Sequence, residues 1–156
     1  MTKPKKIIAL LALFLFFSSC GYTPIFSKKD VNFSIEKIEF SGNKDVKENI
    51  NQAFSSYKNK PGKTKQISLV ITNSKNITIA SKNSKGEAVT NKISVDVNVK
   101  IILNENNFIE KNFYKSSIYK AIDRKSEQKL IENKLIENLS NEIALQIIFE
   151  ILKITK

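Results

Sequence analysis

The sequence contains no histidine and a single cysteine, and these two shortages exclude several kinds of active site. Without histidine the chain has no Ser-His or Cys-His nucleophile pair and no zinc site with histidine ligands. Its four glycines are scattered singly, so no glycine-rich loop of the kind that binds nucleotide phosphates is present. We therefore expect neither a metal site nor a cofactor.

Arginine is almost absent as well, since Arg124 is the only one in a chain with a formal net charge of +11. A lysine-rich, arginine-poor surface attracts anions diffusely and is poorly suited to bidentate recognition of phosphate. The abundance of Lys, Asn and Ile has an alternative explanation, which is a biased genome composition with no binding role.

Two carboxylate pairs remain as candidates for acid–base chemistry, Glu36 with Glu39 and Asp45 with Glu48. The first pair falls in a predicted strand. The second falls in the first turn of a predicted helix, where acidic side chains ordinarily stabilise the helix dipole. We therefore expect that the protein is not an enzyme.

The N-terminal segment has the pattern of an export signal. Three lysines precede an unbroken apolar run over residues 7–17, and Ser18, Ser19 and Cys20 follow it. This run is too short to cross the roughly 30 Å of bilayer hydrocarbon as a helix, and the pattern is typical of a secretory signal. Phe17-Ser18-Ser19-Cys20 resembles the lipobox of bacterial lipoproteins, although Phe17 stands where that pattern usually has Leu, Val or Ala.

This pattern divides the chain into three parts. Residues 1–19 are predicted to be a signal peptide, residues 20–30 a lipidated N-terminus and tether, and residues 31–156 a single domain. Acyl chains on Cys20 would anchor the protein, because each buried CH₂ contributes about 0.8 kcal/mol. The alternatives are a plain secretory signal cut nearby or an uncleaved anchor. An exported lipoprotein is not expected to bind nucleic acid.

Hydrophobic periodicity predicts six elements in the domain. A strand over residues 31–40 changes the phase of its apolar residues, which indicates either a bulge or burial on both faces. The remaining predictions are a helix capped by Asn43 or Asp45 and continuing to Tyr57, strands over 66–79 and 90–104, a less regular edge strand over 108–119, and a helix capped by Ser126 that continues through Leu152.

The order strand, helix, strand, strand, strand, helix predicts an α/β fold. A strand–helix–strand crossover favours two parallel strands, and the hairpin after it adds antiparallel neighbours. We therefore expect a two-layer sandwich in which a mixed four-stranded sheet carries two helices on one face (β-α-β-β-β-α).

The central hairpin is longer than most hairpins, so we expect it to project past the body of the domain. Its polar turn at residues 81–87 displays lysines, and Lys75, Lys82 and Lys85 are the predicted contacts for polyanions such as phosphorylated lipid. The alternative is that these lysines belong to an ordinary solvated turn. In that case the apolar end of the last helix, around Phe149 and Leu152, is the next candidate surface, since it either packs between layers or meets a partner.

Three segments carry a family resemblance. They are Cys-Gly-Tyr-Thr-Pro-Ile-Phe at residues 20–26, Tyr-Lys-Ala-Ile-Asp at residues 119–123, and the closing glutamate-rich helix. Together they are similar to the lipopolysaccharide-assembly lipoproteins, in particular those of alphaproteobacterial type. That family is known for the two-layer α/β architecture.

The resemblance implies a non-enzymatic role at the outer membrane. A lipoprotein of this family lies inside and beneath the large β-barrel that inserts lipopolysaccharide, helps that barrel fold, plugs its lumen and contacts lipopolysaccharide. Gly21 follows Cys20 in place of the Asp that retains some lipoproteins in the inner membrane, so we expect a lipid-anchored protein on the periplasmic side of the outer membrane. The alternative is another envelope lipoprotein, such as a transporter accessory or a periplasmic binding module.

Overall fold

The structure, a computed structural model, describes residues 31–155. In chain order its elements are β1 Phe33–Gly42, α1 Lys44–Ala53, a 3-10 helix Ser55–Tyr57, β2 Lys65–Lys82, β3 Ala88–Asn104, β4 Asn107–Lys120 and α2 Lys125–Ile154. This order confirms the predicted α/β arrangement. The predicted signal peptide, Cys20 and the tether lie outside the described residues.

The four strands form one mixed sheet in the order β1-β2-β3-β4. β1 and β2 are parallel, whereas β2 with β3 and β3 with β4 are antiparallel. Alternate residues of β2 and β3 are buried on one face of the sheet, and both helices pack there. We call the end of the sheet where β1 and β2 begin the basal end, and the end that carries the β2–β3 turn, residues 83–87, the distal end.

β1 contains a bulge, which explains the change of phase in its sequence. Ile35 and Lys37 pair with successive residues of β2, so Glu36 is the extra residue. The bulge brings the apolar residues on both sides of it to the same core, namely Phe33 and Ile35 before it and Ile38 and Phe40 after it.

Helix α1 is shorter than predicted, because it ends at Ala53 and a 3-10 turn continues to Tyr57. Asn43 is the N-cap, and its side-chain oxygen accepts hydrogen bonds from two backbone N–H groups of the first turn at 3.1 and 3.2 Å. The two serines after Phe54 compete for backbone hydrogen bonds and weaken the helix. The Tyr57 ring stacks on the Phe33 ring with centroids 5.7 Å apart, a contact that takes the chain out of the helix and onto the core.

Helix α2 is longer than predicted at both ends. Its N-cap residue is Arg124, so the prediction of Ser126 as the cap is wrong. The Arg124 carbonyl already accepts hydrogen bonds from two N–H groups of the first turn, at 3.0 and 3.1 Å, which places Ser126 inside the helix. At the other end the Thr155 hydroxyl donates to the Ile151 carbonyl at 2.8 Å.

Two contacts fix the direction of α2 across the sheet. The Tyr119 hydroxyl, near the end of β4, donates a hydrogen bond to the Glu132 carboxylate. Beyond the other end of the helix, Lys65 Nζ at the start of β2 donates to the Thr155 carbonyl at 2.7 Å. Helix α2 therefore runs toward the basal end, where it ends beside the first residues of the sheet.

The long hairpin is longer still than predicted. β2 and β3 contain 18 and 17 residues, and at 3.3 Å per residue β2 measures roughly 60 Å. β4 accompanies β3 as far as the pair of Thr90 with Lys120, so three strands extend toward the distal end instead of two. Ile77 and Ile79 on the helix-facing side are 38% and 52% exposed there.

Candidate functional site

The turn between β2 and β3 displays Lys82 and Lys85 at the distal end. Asn83 holds this turn, because its side-chain oxygen accepts hydrogen bonds from the backbone N–H groups of Lys85 and Glu87, both at 3.0 Å. The Asn83 amide group also donates to the Glu87 carboxylate at 2.7 Å. Gly86 adopts φ +83°, which L-amino acids with side chains rarely adopt. The two lysines thus extend from a defined turn with an acidic neighbour.

Lys75, the third predicted contact, lies apart from this turn. Its Nζ forms an ion pair with Asp45 Oδ2 at 2.9 Å, in the first turn of α1. The hydrogen bond from Lys75 lowers the pKa of the Asp45 carboxyl. Seven residues of strand separate Lys75 from Lys82, which corresponds to about 23 Å. The structure therefore brings Lys82 and Lys85 together and places Lys75 beside α1.

The face of the sheet opposite the helices carries a row of exposed apolar side chains on β4, namely Phe108, Tyr114 and Ile118. Lysines of the neighbouring strand β3 cover two of these rings: Lys100 Nζ lies 3.7 Å from the Phe108 centroid and Lys92 Nζ lies 5.6 Å from the Tyr114 centroid. Hydrogen bonding with Lys92 lowers the pKa of the Tyr114 hydroxyl. The alternation in the sequence places the three apolar residues on one face, but only the register of β3 against β4 reveals their lysine partners.

The sequence left open whether the end of α2 packs inside the domain or faces outward, and the structure shows one buried side and one exposed side. Ile147, Ile148 and Ile151 are buried in the core, whereas Leu145 and Phe149 on the outer side of the helix are exposed. Lys153 Nζ lies 4.4 Å from the Phe149 ring centroid and 2.6 Å from the Glu150 carboxylate. One side of this helix end therefore packs between layers, and the other side is exposed in the described part of the chain.

A groove of about 330 Å³ lies between α1 and the N-terminal half of α2. The carboxylates of Asp45, Glu48 and Glu137 line it, and each forms an ion pair with a lysine. Leu130, which is 70% exposed, also lines it. All three carboxylates in this groove are therefore already engaged with lysines.

The other candidate carboxylate pair lies on β1. Glu39 Oε1 is 2.6 Å from Lys37 Nζ, and both side chains are exposed. Within residues 31–155 no group of three or more His, Cys, Asp or Glu side chains is arranged to hold a metal ion.

The predicted lipidation site, Cys20, and the motif at residues 20–26 lie outside the described part of the chain. Among the described helices, none is both long enough and apolar enough to cross a membrane.

The described fold is a two-layer α/β sandwich that several solved bacterial lipoproteins share. Rare lipoprotein B from Shewanella oneidensis is similar with a TM-score of 0.57 and 11% identity, covering 78% of this chain and 100% of that chain. Lipoprotein B from Nitrosomonas europaea gives a TM-score of 0.56 and 14% identity, covering 80% and 88%. A minor lipoprotein from Acinetobacter baumannii gives 0.53 and 13%, covering 73% and 90%.

At these identities the likeness establishes the fold alone. Comparison of the sequence with protein families and with curated proteins gives no match.

Proposed function

We propose that the protein is an outer-membrane lipoprotein that assists the assembly of a lipopolysaccharide-translocating β-barrel, plugs its lumen and contacts lipopolysaccharide. One observation carries this proposal: a chain with the lipobox-like sequence Phe17-Ser18-Ser19-Cys20 has the fold of solved bacterial lipoproteins. The motif at residues 20–26, which resembles the lipopolysaccharide-assembly lipoproteins, supports the finer assignment.

The proposed role is binding and assembly, without catalysis. The carboxylates that the sequence offers for acid–base chemistry support this, because Glu39, Asp45 and Glu48 each form an ion pair with a lysine. The remaining carboxylate of those two pairs, Glu36, is the exposed bulge residue of β1.

We assign the contact with lipopolysaccharide phosphates to Lys82 and Lys85 at the distal end. The turn has a defined backbone and carries both lysines as exposed residues of one short segment. Lys75 would have to leave Asp45 to join them, so its main role in this proposal is to hold the start of α1 against the sheet.

Affinity purification of the protein from detergent-solubilised envelopes tests the assembly role. A single large β-barrel protein that co-purifies in near-equal amount is the expected result. Co-purification of an inner-membrane ATPase complex would contradict the proposal and favour a transporter accessory. Fractionation that finds the mature protein wholly in the inner membrane would contradict the assigned location.

Labelling with palmitate tests the anchor. Wild-type protein is expected to incorporate the label, and the Cys20→Ser variant is expected to lose it, because Cys20 is the only cysteine in the chain. Label retained by the variant would show that the anchor is attached elsewhere.

A further inference from the structure

The basal end of the domain carries a loop in which every charged side chain is a lysine. The loop, residues 58–65, contains Lys58, Lys60, Lys63 and Lys65, and the sequence has no acidic residue between Glu48 and Glu87. Hydrogen bonds hold the loop beside the start of β1: the Lys60 N–H donates to Ser34 Oγ at 2.7 Å, and the Asn59 N–H donates to a β1 carbonyl at 3.1 Å. Its positive charge is therefore fixed at this end of the sheet.

Two phenylalanines flank the same end on the two sides of the sandwich. Phe108 begins β4 on the open face and is 51% exposed, and Phe149 lies on the outer side of the last turns of α2 and is 48% exposed. Each ring has a lysine ammonium group over it, Lys100 for Phe108 and Lys153 for Phe149. At a membrane surface this arrangement suits both groups, because the ring enters the apolar boundary while the polar end of the lysine stays at the level of the headgroups.

The acidic residues at this end do not cancel the loop. They are Glu36, Glu105, Glu110 and Glu150. Glu110 lies 4.0 Å from Lys100, and Glu150 lies 2.6 Å from Lys153, so these pairs balance one another and leave Glu36 and Glu105 against the four lysines of the loop. The basal end therefore keeps an excess of positive charge, which an anionic surface would complement.

The length of chain between Cys20 and the domain limits which end of the domain can rest on the membrane. The chain enters the domain at Val31, and β1 begins at the basal end, two residues later. From Cys20 to Val31 an extended chain spans at most about 40 Å. β2 alone measures roughly 60 Å, so with Cys20 in a membrane the distal end is too far from the chain's entry point to be the end that rests on the lipid.

We infer that the basal end docks on the anionic phospholipid headgroups of the membrane that holds the lipid anchor. Phe108 and Phe149 enter the headgroup region, and Lys60 and Lys63 lie beside the phosphates. This inference rests on the proposed anchor at Cys20. It gives the domain a second, non-covalent membrane contact.

The chain contains no tryptophan, so a single introduced tryptophan reports on its own surroundings. Lipidated Phe149→Trp and Phe108→Trp proteins would be reconstituted in vesicles of phosphatidylethanolamine and phosphatidylglycerol with brominated acyl chains. Emission from both is expected to shift to the blue and to be quenched. A matched control, Val89→Trp, places the reporter at an exposed apolar position near the distal turn and is expected to stay unquenched.

Charge substitution tests the electrostatic part of the contact. Lys60→Gln with Lys63→Gln, made in the Phe149→Trp protein, should lower the ratio of docked to undocked protein roughly thirtyfold, given the energy that two lysines gain near an anionic leaflet. Replacing phosphatidylglycerol by phosphatidylcholine should act in the same direction. A far-UV circular dichroism spectrum of each variant shows whether it is folded. Loss of docking counts only for a variant whose spectrum matches wild type.

The outcomes separate the docking inference from the anchor. If the protein floats with the vesicles while neither tryptophan at the basal end is quenched, the docking is overturned and the anchor is left intact. Protein that fails to float overturns the anchor, and salt-sensitive quenching by anionic vesicles would then still support the docking. A third outcome is that brominated lipid does not quench these two tryptophans and they become shielded only when a barrel protein is co-reconstituted. That result would assign this surface to a protein and overturn the inference.

Discussion

The basal and distal parts of β2 have the same alternation in sequence but opposite surroundings. In the basal part the helix-facing side chains of Ile67, Leu69 and Ile71 are completely or almost completely buried, whereas Ile77 and Ile79 on the same face are exposed. The strand is continuous, so the difference comes from the layer above it. Alternation therefore reports which face a residue occupies, and only the position of the helices decides whether that face is covered.

This difference separates stability from binding in the molecule. The covered part holds the core, which includes residues from β1, α1, β2, β3 and α2. The turn at residues 83–87 lies outside that core, so it tolerates charge at little energetic cost. We expect substitutions in the core to change stability and substitutions in the turn to change binding.

The largest expected effect is a cavity in the covered part. Ile71→Ala should lower the free energy of unfolding by about 2 to 5 kcal/mol, because it removes a fully buried side chain. Ile79→Ala, the matched control on the same strand and face, should change it by less than about 0.5 kcal/mol. Urea denaturation measures both. Equal losses for the two variants would show that Ile79 is covered in solution.

Two glycines with positive φ give the second contrast. Gly42 adopts φ +108°, and a Cβ built there would lie 1.9 Å from the Asn73 backbone oxygen. Gly42→Ala should therefore cost about 2 to 4 kcal/mol, since backbone strain and steric overlap add. Gly86→Ala has open space around it and should cost only about 1 to 2 kcal/mol. Thermal unfolding compares them, and a Gly42→Ala protein as stable as wild type would contradict the close approach of β1 and β2.

The sequence predicts the class of fold correctly because each element has its own periodicity, and a bulge such as that at Glu36 leaves a visible change of phase. It fails where a tertiary contact overrides the local pattern: Tyr57 leaves the predicted helix to stack on Phe33. The candidate site was predictable only in part, since Lys82 and Lys85 follow from the turn. The pairing of Lys75 with Asp45 depends on how α1 crosses the sheet, which no local pattern encodes.

The pKa values of two tyrosines of β4 distinguish the covered face of the sheet from the open face. Burial, with the hydrogen bond to Glu132, raises the pKa of Tyr119 to about 12, whereas hydrogen bonding with Lys92 lowers the pKa of exposed Tyr114. Unfolded tyrosine ionises near pH 10, so the stabilisation from Tyr119 is complete below about pH 10 and is lost as the pH rises toward 12, by about 2 to 3 kcal/mol in all.

Urea unfolding across this range measures the effect. Tyr119→Phe should lose less stability between pH 10 and 12 than wild type, and Tyr114→Phe, the control, should follow the wild-type curve there. Identical curves for Tyr119→Phe and wild type would place the Tyr119 hydroxyl in solvent.

The smallest expected effects come from the three lysines, which the structure divides between the two parts. Lys82→Glu with Lys85→Glu should weaken binding of lipopolysaccharide several-fold, because each exposed charge contributes only about 0 to 1 kcal/mol. The stability to unfolding should stay near that of wild type, since both side chains lie outside the core.

Lys75→Glu should have the opposite effects. It places a second acid beside Asp45, raises the pKa of that carboxyl and lowers stability slightly, while lipid affinity is unchanged. Calorimetric binding in low and moderate salt, paired with urea unfolding, measures all of these. If Lys75→Glu weakened lipid binding as much as the double variant, the lipid site would include the start of α1 and the assignment of Lys82 and Lys85 alone would be wrong. If the double variant bound lipid normally, the distal lysines would belong to an ordinary solvated turn.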